Sequence, residues 1–98
     1  MNAIEGIRPD VLASELEQRG FDSLWVPEHS HVPVSRKTPY PAGGDLPECY
    51  WRMMDPFVSL ALAAQVTSTF ELCTGICLLR EHDVLDLACT TATLDAVS

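Results

Sequence analysis

The 98 residues include six basic and fourteen acidic side chains, a net charge of −8, and 47% of them are hydrophobic. A chain of this length holds one domain with a modest core, burying about 60 to 65% of its unfolded surface. Its acidic balance disfavours nucleic acid as a partner, and its longest apolar stretch, within 57–66, is far short of the ~20 residues that span a bilayer.

The amino terminus, Met-Asn-Ala-Ile-Glu-Gly, has no basic segment followed by an apolar one, so the expected compartment is the cytoplasm. Cys49, Cys73, Cys77 and Cys89 contain no Cys-x-x-Cys pair and read as reduced thiols. Residues 1–7 offer no more than half a strand. Pro9 and Asp10 suit the first turn of a helix, whose apolar stripe is Val11, Leu12 and Leu16, with Glu15, Glu17, Gln18 and Arg19 facing water. Gly20 fits the left-handed position that stops it.

Ser23 to Val26 has the length and the aromatic and β-branched content of a buried strand, and Pro27 ends it. The connection from Pro27 to Met54 carries five prolines and reads as an ordered loop rather than a linker, because Tyr40, Cys49, Tyr50, Trp51, Met53 and Met54 are costly to leave in water. Asp55-Pro56 is a cap and first-turn proline. The helix after it has Phe57, Leu60, Ala61 and Ala64 on one face and Val58, Leu62 and Val66 on the next, which predicts burial on two sides. Phe70 to Leu79 predicts a second strand, apolar throughout as in a parallel sheet covered by helices. Asp83 caps a last helix that presents Val84, Leu87, Thr91 and Leu94. Strand, helix and strand make a right-handed crossover unit.

Glu28-His29-x-His31 is the compact cluster of titratable groups, just past a strand's carboxyl end, where parallel α/β folds bind ligands. An imidazole titrates near neutrality, so His29 is placed for general acid or base work. The plainer alternative is a pair of solvated histidines in a proline-rich loop. A metal site needs three or four ligands, and the remaining candidates, Cys49 and His82, have no diagnostic spacing, so no metal is assigned. Gly75, inside the second strand, marks either tight packing or the close approach of a ligand to the backbone. Trp25, Trp51, Tyr40 and Tyr50 either line a flat pocket or anchor the core and loop.

The ordered set Arg19-Gly20-Phe21-Asp22-Ser23-Leu24-Trp25-Val26-Pro27-Glu28-His29, Asp55-Pro56-Phe57, Leu72-Cys73-Thr74-Gly75-Ile76 and Ala92-Thr93-Leu94-Asp95 resembles the luciferase-like monooxygenase family. Within it the match is best to oxidoreductases that use the deazaflavin coenzyme F420; Thr38-Pro39-Tyr40-Pro41 and Gly43-Gly44-Asp45 are also familiar in that branch. The resemblance implies an α/β fold, a (β/α)8 TIM barrel with F420, or alternatively FMN, at the carboxyl ends of its strands. It implies His29 as the catalytic histidine near the reactive ring. Gly75-Ile76 would be the cofactor-binding pair, often joined by a non-proline cis peptide behind the ring. Glu28, His31 and Trp51 are the accompanying substrate and loop candidates.

Residues 1–98 would then be a truncated, amino-terminal part of such a barrel, lacking most of its first strand and the later phosphate-binding segments. Asp83-Val84 stands where Asp-Pro is common, and Cys89-Thr90-Thr91 replaces a charged helix surface. The expected function is hydride transfer between the coenzyme and a small organic substrate. The rival expectation is a catalytically inactive interaction or vestigial protein, self-associating through open sheet edges; a metal-binding loop is third.

Overall fold

Pairing between two four-residue strands sets the architecture in a computed structural model of the chain, which describes residues 2–98. Strand β1 (Ser23–Val26) runs parallel to β2 (Glu71–Thr74), with Ser23 opposite Glu71, Leu24 opposite Leu72, Trp25 opposite Cys73 and Val26 opposite Thr74. The ladder is extended at both ends by Glu71 N–H to the Asp22 carbonyl at 2.9 Å and Gly75 N–H to the Val26 carbonyl at 2.7 Å. Helix α1 (Pro9–Gln18) precedes β1, α2 (Pro56–Ala64) makes the crossover, and α3 (Val84–Val97) follows β2. Among the described residues the result is a small α/β unit of two parallel strands and three α-helices. None of the helices is long and apolar enough to cross a membrane, among the described residues.

The two-residue period of a strand sends Leu24 and Val26 to the helical side, where they pack with Ala13, Leu60, Ala63 and Phe70. Leu12, Leu16, Leu72 and Leu94 pack against that cluster from its margin. Trp25 points the other way and is 63% exposed, so one face of the sheet is open. Local chemistry sets the helix ends. Pro9 occupies the first turn of α1, and Gly20, at φ +80°, closes it with Gly20 N–H on the Glu17 carbonyl and Phe21 N–H on the Leu16 carbonyl. The Asp55 carboxylate accepts from Val58 N–H, and that of Asp83 from Leu85 and Asp86 N–H.

Five expectations need correction. In α1 the buried residues are Pro9 and Ala13, whereas Val11 is exposed, because the helix meets the core through the small side chain of Ala13. Glu17 does not face water alone: its carboxylate accepts Ser68 and Thr69 N–H, both at 2.8 Å, tying α1 to the turn before β2. Burial of α2 is one-sided, through Ser59, Leu60, Ala63 and Ala64, with Val58 and Val66 exposed. β2 stops at Thr74 instead of Leu79, since the chain leaves the ladder after Gly75 N–H and turns into a 3-10 helix at Leu79–Glu81. No residue of α3 is buried, and Val84, expected on its inner face, is 75% exposed.

The long connection after β1 contains a 3-10 helix at Glu48–Arg52 and is pinned by the amino terminus. Of the strand remnant expected over 1–7, Met1 lies outside the described residues and Ala3 makes a single antiparallel bridge to Met53. Ile4 N–H to the Arg52 carbonyl and Met54 N–H to the Asn2 carbonyl complete the seam. All four cysteines are free thiols.

Candidate functional site

Because β1 and β2 are parallel, in register and joined at their ends through Gly75 N–H and Val26 C=O, the segments leaving them emerge side by side. Pro27 to His31 leaves one strand, and Gly75 to His82 leaves the other. Side chains that the sequence separates by about fifty positions meet here.

Glu28 is the most deeply placed of them. It is 6% exposed, and a carboxylate so far from water needs donors. One oxygen accepts Leu78 N–H at 2.6 Å and the other pairs with His82 Nε2 at 2.5 Å. The His82 ring packs edge-on against Phe57, with centroids 5.9 Å apart. Cys77 completes the group: burial first, and then the charge of Glu28, hold its thiol above the usual cysteine range. One ligand-type atom from each of Glu28, Cys77 and His82 lies within 4.8 Å of the others.

His29 turns away from this cluster. Its ring is exposed and meets Tyr50 edge-on at 5.4 Å, and Tyr50 meets Tyr40 at 5.9 Å. The neighbouring Tyr40 phenol raises the Tyr50 phenol above its ordinary value. His29, Ser30, His31, Tyr50, Trp51 and Met53 line a shallow recess of about 170 Å³. His31 Nδ1 shares a hydrogen bond with Ser30 Oγ at 2.8 Å and lies 3.9 Å from Glu81, to which Ser30 also donates. Trp51 is on the rim, largely exposed.

On the neighbouring strand end, Gly75 and Ile76 are exposed. A Cβ added at Gly75 would meet Trp25 at 3.5 Å, an ordinary contact, so packing does not demand glycine there. Glu28, His29 and His31, adjacent in sequence, therefore serve three different sets of partners. Sequence reasoning missed Cys77 and His82 as the partners of Glu28, 54 positions separating Glu28 from His82. The available signal was indirect: a buried carboxylate two residues past the end of a parallel strand requires donors, and the next strand's exit is the nearest source.

A larger recess, about 560 Å³, is elsewhere, between α2, β2 and α3, with Leu60, Leu72, Thr91 and Leu94 among its walls. It runs along β2, and no histidine lines it.

A sequence model for the luciferase-like monooxygenase family matches residues 11–98. An uncharacterized protein of Mycobacterium bovis and uncharacterized proteins from two strains of Mycobacterium tuberculosis are each 46% identical over 96 residues. The alignment covers 95% of this chain and 34% of each of those proteins, so the chain spans about a third of the length of the curated relatives it matches. No solved structure matches significantly.

Proposed function

The chain belongs to the luciferase-like monooxygenase family, and we propose that it is the amino-terminal part of a (β/α)8 barrel of the F420-dependent branch, with FMN as the alternative coenzyme. The family supports an oxidoreductase reading; a small organic substrate and hydride transfer are our extension of it. The observation that carries this reading is the parallel pairing that brings the exits of β1 and β2 together, with His29 on one and Gly75-Ile76 on the other.

The residues present suit the flat part of such a coenzyme. Gly75 has no side chain to obstruct a ring, Ile76 offers an exposed apolar surface, and the adjoining sheet face carries exposed Trp25. A bound deazaflavin or flavin supplies the redox chemistry. In this reading Gly75 and Ile76 back the ring, while the exposed His29 imidazole gives or takes a proton at the substrate. Tyr50 fixes the His29 ring by its edge contact, and Trp51 and His31 form the outer wall of the substrate recess. Glu28 holds the two exits at a set spacing through Leu78 N–H and His82.

The open edge of β2, its 560 Å³ groove and the uncovered α3 are in keeping with further βα units packing there. Without them, coenzyme phosphates have no anchor in this account, and the chain alone should bind weakly and self-associate through its sheet edges. The test is anaerobic titration with F420 and with FMN, following the emission of Trp25 in a Trp51→Phe variant. Weak but saturable quenching is expected, reduced by Ile76→Asp; no quenching, or quenching indifferent to Ile76→Asp, overturns the ring site.

A further inference from the structure

Three side chains of ligand type from two separate exits converge without any place in the oxidoreductase reading except as a brace. We propose that Glu28, Cys77 and His82 form a binding site for one divalent transition-metal ion of the zinc class. This site is independent of the coenzyme site and does not rest on it.

The donor set decides the class of ion. An imidazole nitrogen, a thiolate and a carboxylate suit a borderline ion such as zinc, whereas magnesium and calcium take oxygen ligands. The three donor atoms are already within 4.8 Å of one another, and among the described residues this is the group of three or more such side chains that meets. The supporting shell is also present. Leu78 N–H holds one Glu28 oxygen at 2.6 Å, which orients the carboxylate and leaves the other oxygen facing His82. Phe57 packs against the His82 ring and limits its rotation.

At present that second oxygen pairs with His82 Nε2 at 2.5 Å. A metal ion takes the place of the proton between them. The neutral imidazole keeps one hydrogen, now on Nδ1; the Cys77 thiol gives up its proton to solvent. The ion's two positive charges are balanced by one carboxylate and one thiolate. Tetrahedral bonds of ~2.0 Å put nitrogen and oxygen ligands ~3.3 Å apart, so His82 must retreat by less than about 1 Å. Its side chain is 23% exposed, against 4% for Glu28, so it lies on the side from which an ion and a fourth ligand, water, can enter. Occupancy would tie the exit of β1 to the loop following β2.

The test uses the reduced, metal-free 98-residue chain and cobalt(II) as the optical probe. One equivalent should produce a sulfur-to-cobalt charge-transfer band that zinc displaces. Cys77→Ser should abolish the band, Cys89→Ser should leave it, and His82→Gln should weaken cobalt binding about tenfold or more. On the unaltered chain, zinc should protect Cys77 and not Cys89 from iodoacetamide, read by peptide mass spectrometry. This arm needs no variant to fold. Absence of a charge-transfer band, its survival in Cys77→Ser, or equal alkylation of Cys77 with and without zinc overturns the site.

Discussion

Replacing Glu28 with alanine removes the acceptor for two donors at once. Leu78 N–H and His82 Nε2 lie at 2.6 and 2.5 Å from its oxygens, in surroundings that leave Glu28 6% exposed. A buried donor deprived of its partner costs about 1 to 3 kcal/mol, and His82, closer to the surface, recovers part of its loss from water. The sum is about 2 to 4 kcal/mol, a large share of the ~5 to 10 kcal/mol expected of so small a domain. That corresponds to a fall of about 10 to 25 °C in melting temperature. Glu28→Gln keeps a carbonyl for Leu78 N–H and should cost about 1 kcal/mol. Urea unfolding followed by far-ultraviolet circular dichroism, with a chelator present, measures both. A Glu28→Ala midpoint within error of the unaltered chain would refute the claim that this carboxylate holds the two strand exits together.

Glu17 provides a pH dependence. Backbone hydrogen bonds from Thr69 and then Ser68 lower its carboxyl below the ordinary range, so its stabilisation is complete above the unfolded carboxyl value and is lost as pH falls through the folded one. The urea midpoint should drop between neutrality and about pH 3, less steeply in Glu17→Gln. Cys77, its thiol raised by burial and by Glu28, should alkylate about tenfold or more slowly than exposed Cys89 at neutral pH, as measured by mass spectrometry of the peptides. In a complete barrel carrying this segment, His29→Ala should lower turnover by ~10² or more under steady-state assay, as expected for loss of a general acid or base.

The limits of β1, the caps at Asp55 and Asp83 and the stop at Gly20 were legible because each rests on short-range chemistry: a proline after an apolar run, a carboxylate before a helix, a residue free to take positive φ. Long-range partners were not. Nothing in the spacing of Glu17 marks it as the acceptor for the turn before β2, nor does periodicity distinguish Ala13 as the contact of α1 with the sheet. The apolar run from Phe70 to Leu79 looked like one strand because hydrophobicity alone does not register where the chain leaves the ladder for a 3-10 helix. Val84 and Val58 followed helical periodicity faithfully, but a side chain is buried only where a neighbouring element packs closely enough to cover it, and both stay largely open to solvent. At the site, the position of His29 after a strand was readable; the division of Glu28, His29 and His31 among three sets of partners depends on residues from the next strand's exit and from the long loop.

The central claim is that the adjoining exits of β1 and β2 make one ring-binding face. Backbone amide chemical shifts of the isotopically labelled chain, recorded while F420 and separately FMN are added under anaerobic conditions, test it most directly. The largest shifts should fall on His29, Gly75 and Ile76 and on Trp25 beside them. Shifts concentrated instead along the groove between Leu72 and Leu94, or spread without regard to the strand exits, would contradict it.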